Sequence, residues 1–169
     1  MDKKDIHLEN FKQVITSTVK SISEISDCKV NFGGKSIKDN KSVKLPEIKK
    51  LENLSDFLTI RAEADSEALR LRFSDTDIFD KYKPKGQKAS KLYQIAEKAR
   101  YEKIGCEYFI GIKKNLFANQ KEREGQVEKL NEVFYNYIRN FLFDTKEIKT
   151  SNSQAKKIKK SLDKKFKKN

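Results

Sequence analysis

Apolar residues first recur at helical spacing between about Leu8 and Ile25. Phe11, Ile15, Thr18/Val19, Ile22 and Ile25 are three or four residues apart and fall on one stripe, which predicts an amphipathic helix. The period then shortens to two. Cys28-Lys29-Val30-Asn31-Phe32 and Val43-Lys44-Leu45 alternate apolar with polar, and Pro46 stops the second run. With the polar loop Gly33 to Lys41 between them, they read as a small β-hairpin.

From Ser55 to Phe73 two signals compete. Leu69, Leu71 and Phe73 alternate like a strand, whereas Ala62, Ala64, Glu67, Ala68 and Leu69 favour helix; the helical reading is the stronger. Pro84-Lys85-Gly86 then breaks the chain. Beyond it, Leu92, Ile95, Ala96, Ala99 and Ile104 mark one face of a long helix from Gln87 to Ile104. Lys98 with Glu102 and Glu97 with Arg100 have ion-pair spacing, and Gly105 is placed as a C-terminal cap. Phe109, Ile112, Leu116 and Phe117 predict a shorter helix. A last one, Glu122 to Phe143, carries Val127, Leu130, Phe134, Ile138 and Phe141 on one face. The expected fold is mainly α: a helical domain over residues 1–145 with a small β-hairpin.

Charge separates the end of the chain from the rest. Of the 169 residues, 38 are Lys or Arg and 25 Asp or Glu, a net charge of +13. Residues 146–169 hold ten Lys against Glu147 and Asp163, so +8 of that charge lies there and +5 before it. Thr150 to Gln154 is polar, and the only large apolar groups after it are Ile158, Leu162 and Phe166. Their four-residue spacing allows an amphipathic helix on a partner; alone it buries too little to offset its ordering. The segment reads as a flexible basic tail or linker.

Several functional classes drop out. No apolar run reaches the ~18 residues that span a bilayer, and Met1 to His7 lacks the apolar core of a secretion signal. A cytoplasmic protein is expected. Cys28 and Cys106 are far apart and fit no CxxC or Cys/His pattern, so two reduced thiols are expected and no zinc site. The lone His7, among charged residues, is a poor catalytic base. Gly34-Lys35-Ser36 ends like a P-loop, but the first glycine is replaced by Lys29 and no helix pattern follows. Asp75, Asp77 and Asp80 lack the glycine and spacing of a calcium loop and read as a charged helix–turn junction.

Several stretches together resemble a known family. They are Thr18 to Ile22, Leu45-Pro46, Arg61 to Arg72, Pro84 to Gln87, Ala96 to Gly105 and Gly111 to Leu116. In that order and spacing they are similar to the amino-terminal region of the T subunit of aerobic cobaltochelatase, from about Phe11 to Asn119. The resemblance implies a non-catalytic part of an ATP-dependent complex that inserts Co²⁺ into a corrin ring during cobalamin synthesis. Its implied partners are an AAA+ ATPase subunit and a large tetrapyrrole-binding subunit. The complex would use ATP, Mg²⁺ and Co²⁺, with no cofactor, metal site or catalytic residue in this chain. The chain departs from the family in three ways. It lacks the D-x-S-x-S motif of an adhesion-type domain, it carries a basic rather than acidic segment after the similar region, and Ser74 and Phe79 stand near positions where relatives carry His.

Ion insertion requires stripping water from the metal and removing two pyrrole protons, which calls for converging His, carboxylate or Lys groups. The sequence offers charged helix faces instead. The candidate partner surface is the exposed side of the Gln87–Ile104 helix, with Glu97, Arg100 and Glu102, joined by Asp65 and Arg70. Internal salt bridges on a solvated helix are the competing reading. The alternative function is a nucleic-acid-binding module driven by the Lys-rich tail, although no RNP, zinc-finger or KH-type motif accompanies it.

Overall fold

A computed structural model describes residues 3–34, 41–48, 53–122, 130–145 and 153–166. Helix α1 (Lys3–Ser23) presents Ile15, Val19 and Ile22 to the core. The chain then forms strands β1 (Lys29–Phe32) and β2 (Ser42–Leu45) and helix α2 (Leu54–Phe73). The remaining helices are α3 (Thr76–Tyr82), α4 (Gln87–Tyr108), α5 (Ile110–Glu122), α6 (Leu130–Phe143) and α7 (Ser153–Phe166). The mainly helical expectation holds. No helix among the described residues is long and apolar enough to cross a membrane.

Helix α2 is the hub: it packs against α1, α4, α5 and β2. Its residues Ile60, Ala62, Ala64, Asp65, Ser66, Ala68 and Leu69 are buried, and together they cover most of its circumference. A helix enclosed on several sides has no single apolar stripe, which is why its sequence also reads as a strand. Asn53 caps its start by accepting from the Asp56 N–H at 2.8 Å. Asp75 caps α3 in the same way, accepting from the N–H groups of Asp77 and Ile78 at 2.9 Å. The aspartates after α2 therefore form the expected junction.

Three expectations are corrected. The two strands pair in parallel, Lys29 with Ser42 through Phe32 with Leu45, so they are not a hairpin. Alternation marks a strand without giving its direction, and the stretch from Gly33 to Lys41 is too long to act as a tight turn that forces antiparallel pairing. Here Gly33 and Gly34, each at φ 75°, lead the chain out of β1, and a β-carbon on Gly33 would stand 2.9 Å from Glu47 Cβ. Gly105 does not cap α4. The helix runs on to Tyr108, and Phe109 is the cap residue, its N–H donating to Gly105 O.

The inward stripe of α6 also differs. Tyr135, Arg139 and Phe143, four residues apart, make the contacts described below, whereas Phe141 is 56% exposed. Val127, and the predicted helix over 123–129, lie outside the described residues. Within the basic segment, residues 153–166 form α7 beside α6, with Tyr137 OH donating to Asp163 Oδ1 at 3.2 Å; the rest of that segment lies outside the described residues.

Candidate functional site

Helices α2, α4 and α6 meet over a polar centre. Glu102 is 1% exposed on α4. Its Oε1 accepts from Ser66 Oγ of α2 at 2.6 Å, and its Oε2 accepts from Tyr135 OH of α6. Lys98 Nζ lies 3.8 Å from Glu102 and also above the Tyr135 ring. A buried carboxylate is tolerable only when donors and charge surround it, and here three elements supply them. Burial, then the Glu102 charge, pushes the hydroxyls of Tyr101 and Tyr135 well above the ordinary range. The same two causes push the Cys106 thiol up to about 11. All three groups stay protonated at neutral pH, and the Tyr135 hydroxyl donates to Glu102.

Arg139, also 1% exposed, sits with its guanidinium carbon 4.2 Å from the Phe117 ring centre and 5.0 Å from that of Phe143. The two rings contact each other edge-on, so the cation is held between aromatic surfaces. Its Nη2 has no hydrogen-bond partner among the described residues.

A second cluster joins α2 to α5. Asp65 is fully buried; Asn115 Nδ2 donates to its Oδ2 at 2.7 Å and Arg61 Nε lies 3.2 Å from Oδ1. Desolvation outweighs both partners and raises its pKa. The third cluster is at the α2–α3–α4 corner. Arg100 grips Glu97 with two hydrogen bonds of 2.7 Å and donates to Phe73 O at 2.6 Å, while Ser74 Oγ donates to Glu97 at 2.6 Å. Partial burial pushes Glu97 up, but the Arg100 and Ser74 hydrogen bonds overcome it and lower its pKa. Phe79 stacks on Tyr93 beside them, 4.9 Å between ring centres. Ser74 and Phe79 thus occupy one corner and both pack on α4.

The candidate residues do not share one exposed face. Asp65 and Glu102 are buried, and Arg70 ties β2 to α2, donating to Ser42 O at 3.3 Å and to Glu67 at 2.8 Å. Only Glu97 and Arg100 reach the surface together. An i,i+4 charge pair looks the same in sequence whether its face is solvated or covered; α6, which covers Glu102, decided it. Ser66, Tyr101, Tyr135 and Arg139 were missed. The available signal was Tyr135, Arg139 and Phe143 at four-residue spacing along one aromatic-rich helix.

Among the described residues no three His, Cys, Asp or Glu side chains could hold a metal ion. Cys28 and Cys106 are both buried, and His7 is exposed on α1. A shallow depression of about 500 Å³ near the end of α1 is lined by Ser17, Lys20, Ser21, Glu24 and Ser26. Its carboxylate is engaged by Arg72 at 2.6 Å. Chemically, the three charged clusters brace helices against one another.

A family model described as "Cobalamin biosynthesis protein CobT" matches residues 5–133, more than half of the chain. No solved structure matches it.

Proposed function

The chain belongs to the CobT family of cobalamin biosynthesis proteins, and from that premise we propose that it is a non-catalytic coupling part of an ATP-dependent cobaltochelatase. In this reading the chain acts in the cytoplasm. It assembles with an AAA+ ATPase subunit and a large tetrapyrrole-binding subunit, and helps transmit ATP-driven changes to the subunit where Co²⁺ enters the corrin ring. ATP and Mg²⁺ belong to the ATPase, and Co²⁺ is substrate.

One observation carries the reading. The buried ionisable groups Asp65, Glu102 and Arg139 lie between helices and brace one element on another. A body braced in this way keeps its outer surface in fixed geometry, which a coupling domain needs to pass a displacement between partners.

Mixing the purified chain with the ATPase subunit, with and without ATP, tests it. Co-elution that depends on nucleotide is expected; no association under any nucleotide condition would overturn it. A nucleic-acid-binding role remains the second reading, favoured by the exposed Lys156, Lys157, Lys160, Lys164 and Lys165 of α7. It requires binding that weakens steeply with salt and vanishes on deletion of residues 146–169.

A further inference from the structure

We propose that Lys81 to Lys91, with Ile78 and Tyr82 of α3, is a docking face for an acidic protein segment that also carries apolar side chains. It deepens the coupling role above and rests on that role only for the partner being a protein.

Between Lys81 and Ala96 the chain has five lysines (81, 83, 85, 88 and 91) and no carboxylate. All five are exposed, and none is in an ion pair among the described residues. The arginines of α2 and α4 are by contrast used internally: Arg61, Arg70, Arg72 and Arg100 each pair with a carboxylate within 3.2 Å. Asp77 and Asp80 precede the segment and neutralise none of it by contact. Against Asp77 and Asp80 just before them, the five lysines leave a net positive field over the turn and the start of α4, which attracts an anionic partner.

The segment is also held in place. Phe79 stacks on Tyr93, which fixes α3 on α4, and Lys83 Nζ lies 5.8 Å from the Phe79 ring centre. Ile78 and Tyr82, one helical turn apart, are 57% and 62% exposed beside the lysines. A nucleic-acid strand would call for successive aromatic platforms. One tyrosine and one aliphatic group match the apolar side chains of a protein segment instead.

The test uses the full chain and a fluorescein-labelled peptide of Glu-Glu-Leu repeats, read by anisotropy. Peptide binding should weaken with salt and fall at least ~10-fold in the Lys83→Glu/Lys85→Glu/Lys88→Glu variant, because attraction is replaced by repulsion. It should also fall in Ile78→Ser/Tyr82→Ser and survive deletion of residues 146–169. Unchanged binding in the triple variant, loss on deleting the tail, or tighter binding of a single-stranded RNA of equal charge would each overturn the proposal. Association with the ATPase subunit is read separately in the same variants. Peptide bound at this face without ATPase association sinks the coupling role and leaves the face. ATPase association with peptide binding unaltered in the triple variant sinks the face and leaves the role.

Discussion

Leu69 of α2 fills the space that a side chain on Gly105 of α4 would need. A β-carbon there would stand 2.2 Å from Leu69 Cδ2 and 2.5 Å from Cδ1. Glycine stands inside a long helix, at a propensity cost of about 1 kcal/mol against alanine, and leaves room for the Leu69 side chain to seat against the α4 backbone. Gly105→Ala is therefore expected to destabilise the fold by about 1–3 kcal/mol, overpacking exceeding the propensity gain. Urea unfolding measures it. Leu69→Ala should cost less in the Gly105→Ala background than alone, because the two changes share one volume.

Tyr135 holds α6 to α4 through the Glu102 carboxylate. Removing its hydroxyl in Tyr135→Phe deletes a hydrogen bond to a charged acceptor, and a loss of about 1.5–3 kcal/mol is expected. Glu102→Ala should cost more, since it strands the buried hydroxyls of Ser66 and Tyr135 together. Amide exchange in α6 should accelerate in both variants.

Glu97 titrates below its ordinary value of 4.5 in the folded chain. Its contribution is therefore fully present above that value and lost as pH falls through the lower, folded-state pKa. The stability difference between wild type and Glu97→Gln is expected to hold from neutral pH to about 4.5 and then shrink. Asp65 runs the opposite way: its raised pKa means that the folded state holds its proton more tightly, so its contribution improves as pH falls. Unfolding midpoints from pH 6 to 3, with Asp65→Asn as the second variant, separate the two signs.

Arg72 closes the end of α1. Its Nη1 donates to Ile22 O at 2.9 Å, it pairs with Glu24 at 2.6 Å, and its guanidinium lies against the rings of Phe73 and Phe109. Lysine cannot reproduce that planar, forked contact. Arg72→Lys is expected to cost about 1–2 kcal/mol, with faster exchange confined to the last turn of α1.

The Cys106 thiol, buried and titrating at about 11, has almost no thiolate at neutral pH. Its reaction with a disulfide reagent should wait for unfolding and speed up sharply across the urea transition.

The helices themselves were legible in the pattern of residues. The stripe from Phe11 to Ile22 became α1, which ends at Ser23 short of Ile25, and the proline–glycine break before Gln87 marked the start of α4. Even the contested stretch around Ala62 to Phe73 resolved as its alanines predicted. Pairs close in sequence were legible too: Glu97 with Arg100 and Lys98 with Glu102 both formed.

What the sequence by itself determined about this protein is its helical content, its charge and its family likeness, because periodicity, propensity and composition are properties of neighbouring residues. Tertiary structure alone decided the rest. Ser66 reaches Glu102 across 36 residues and Asn115 reaches Asp65 across 50. Neither carboxylate could be read as buried until the covering helix was in place. The parallel strands, the glycine under Leu69 and the inward turn of Arg139 have the same origin: each depends on which surface another element brings, and local spacing carries no record of that.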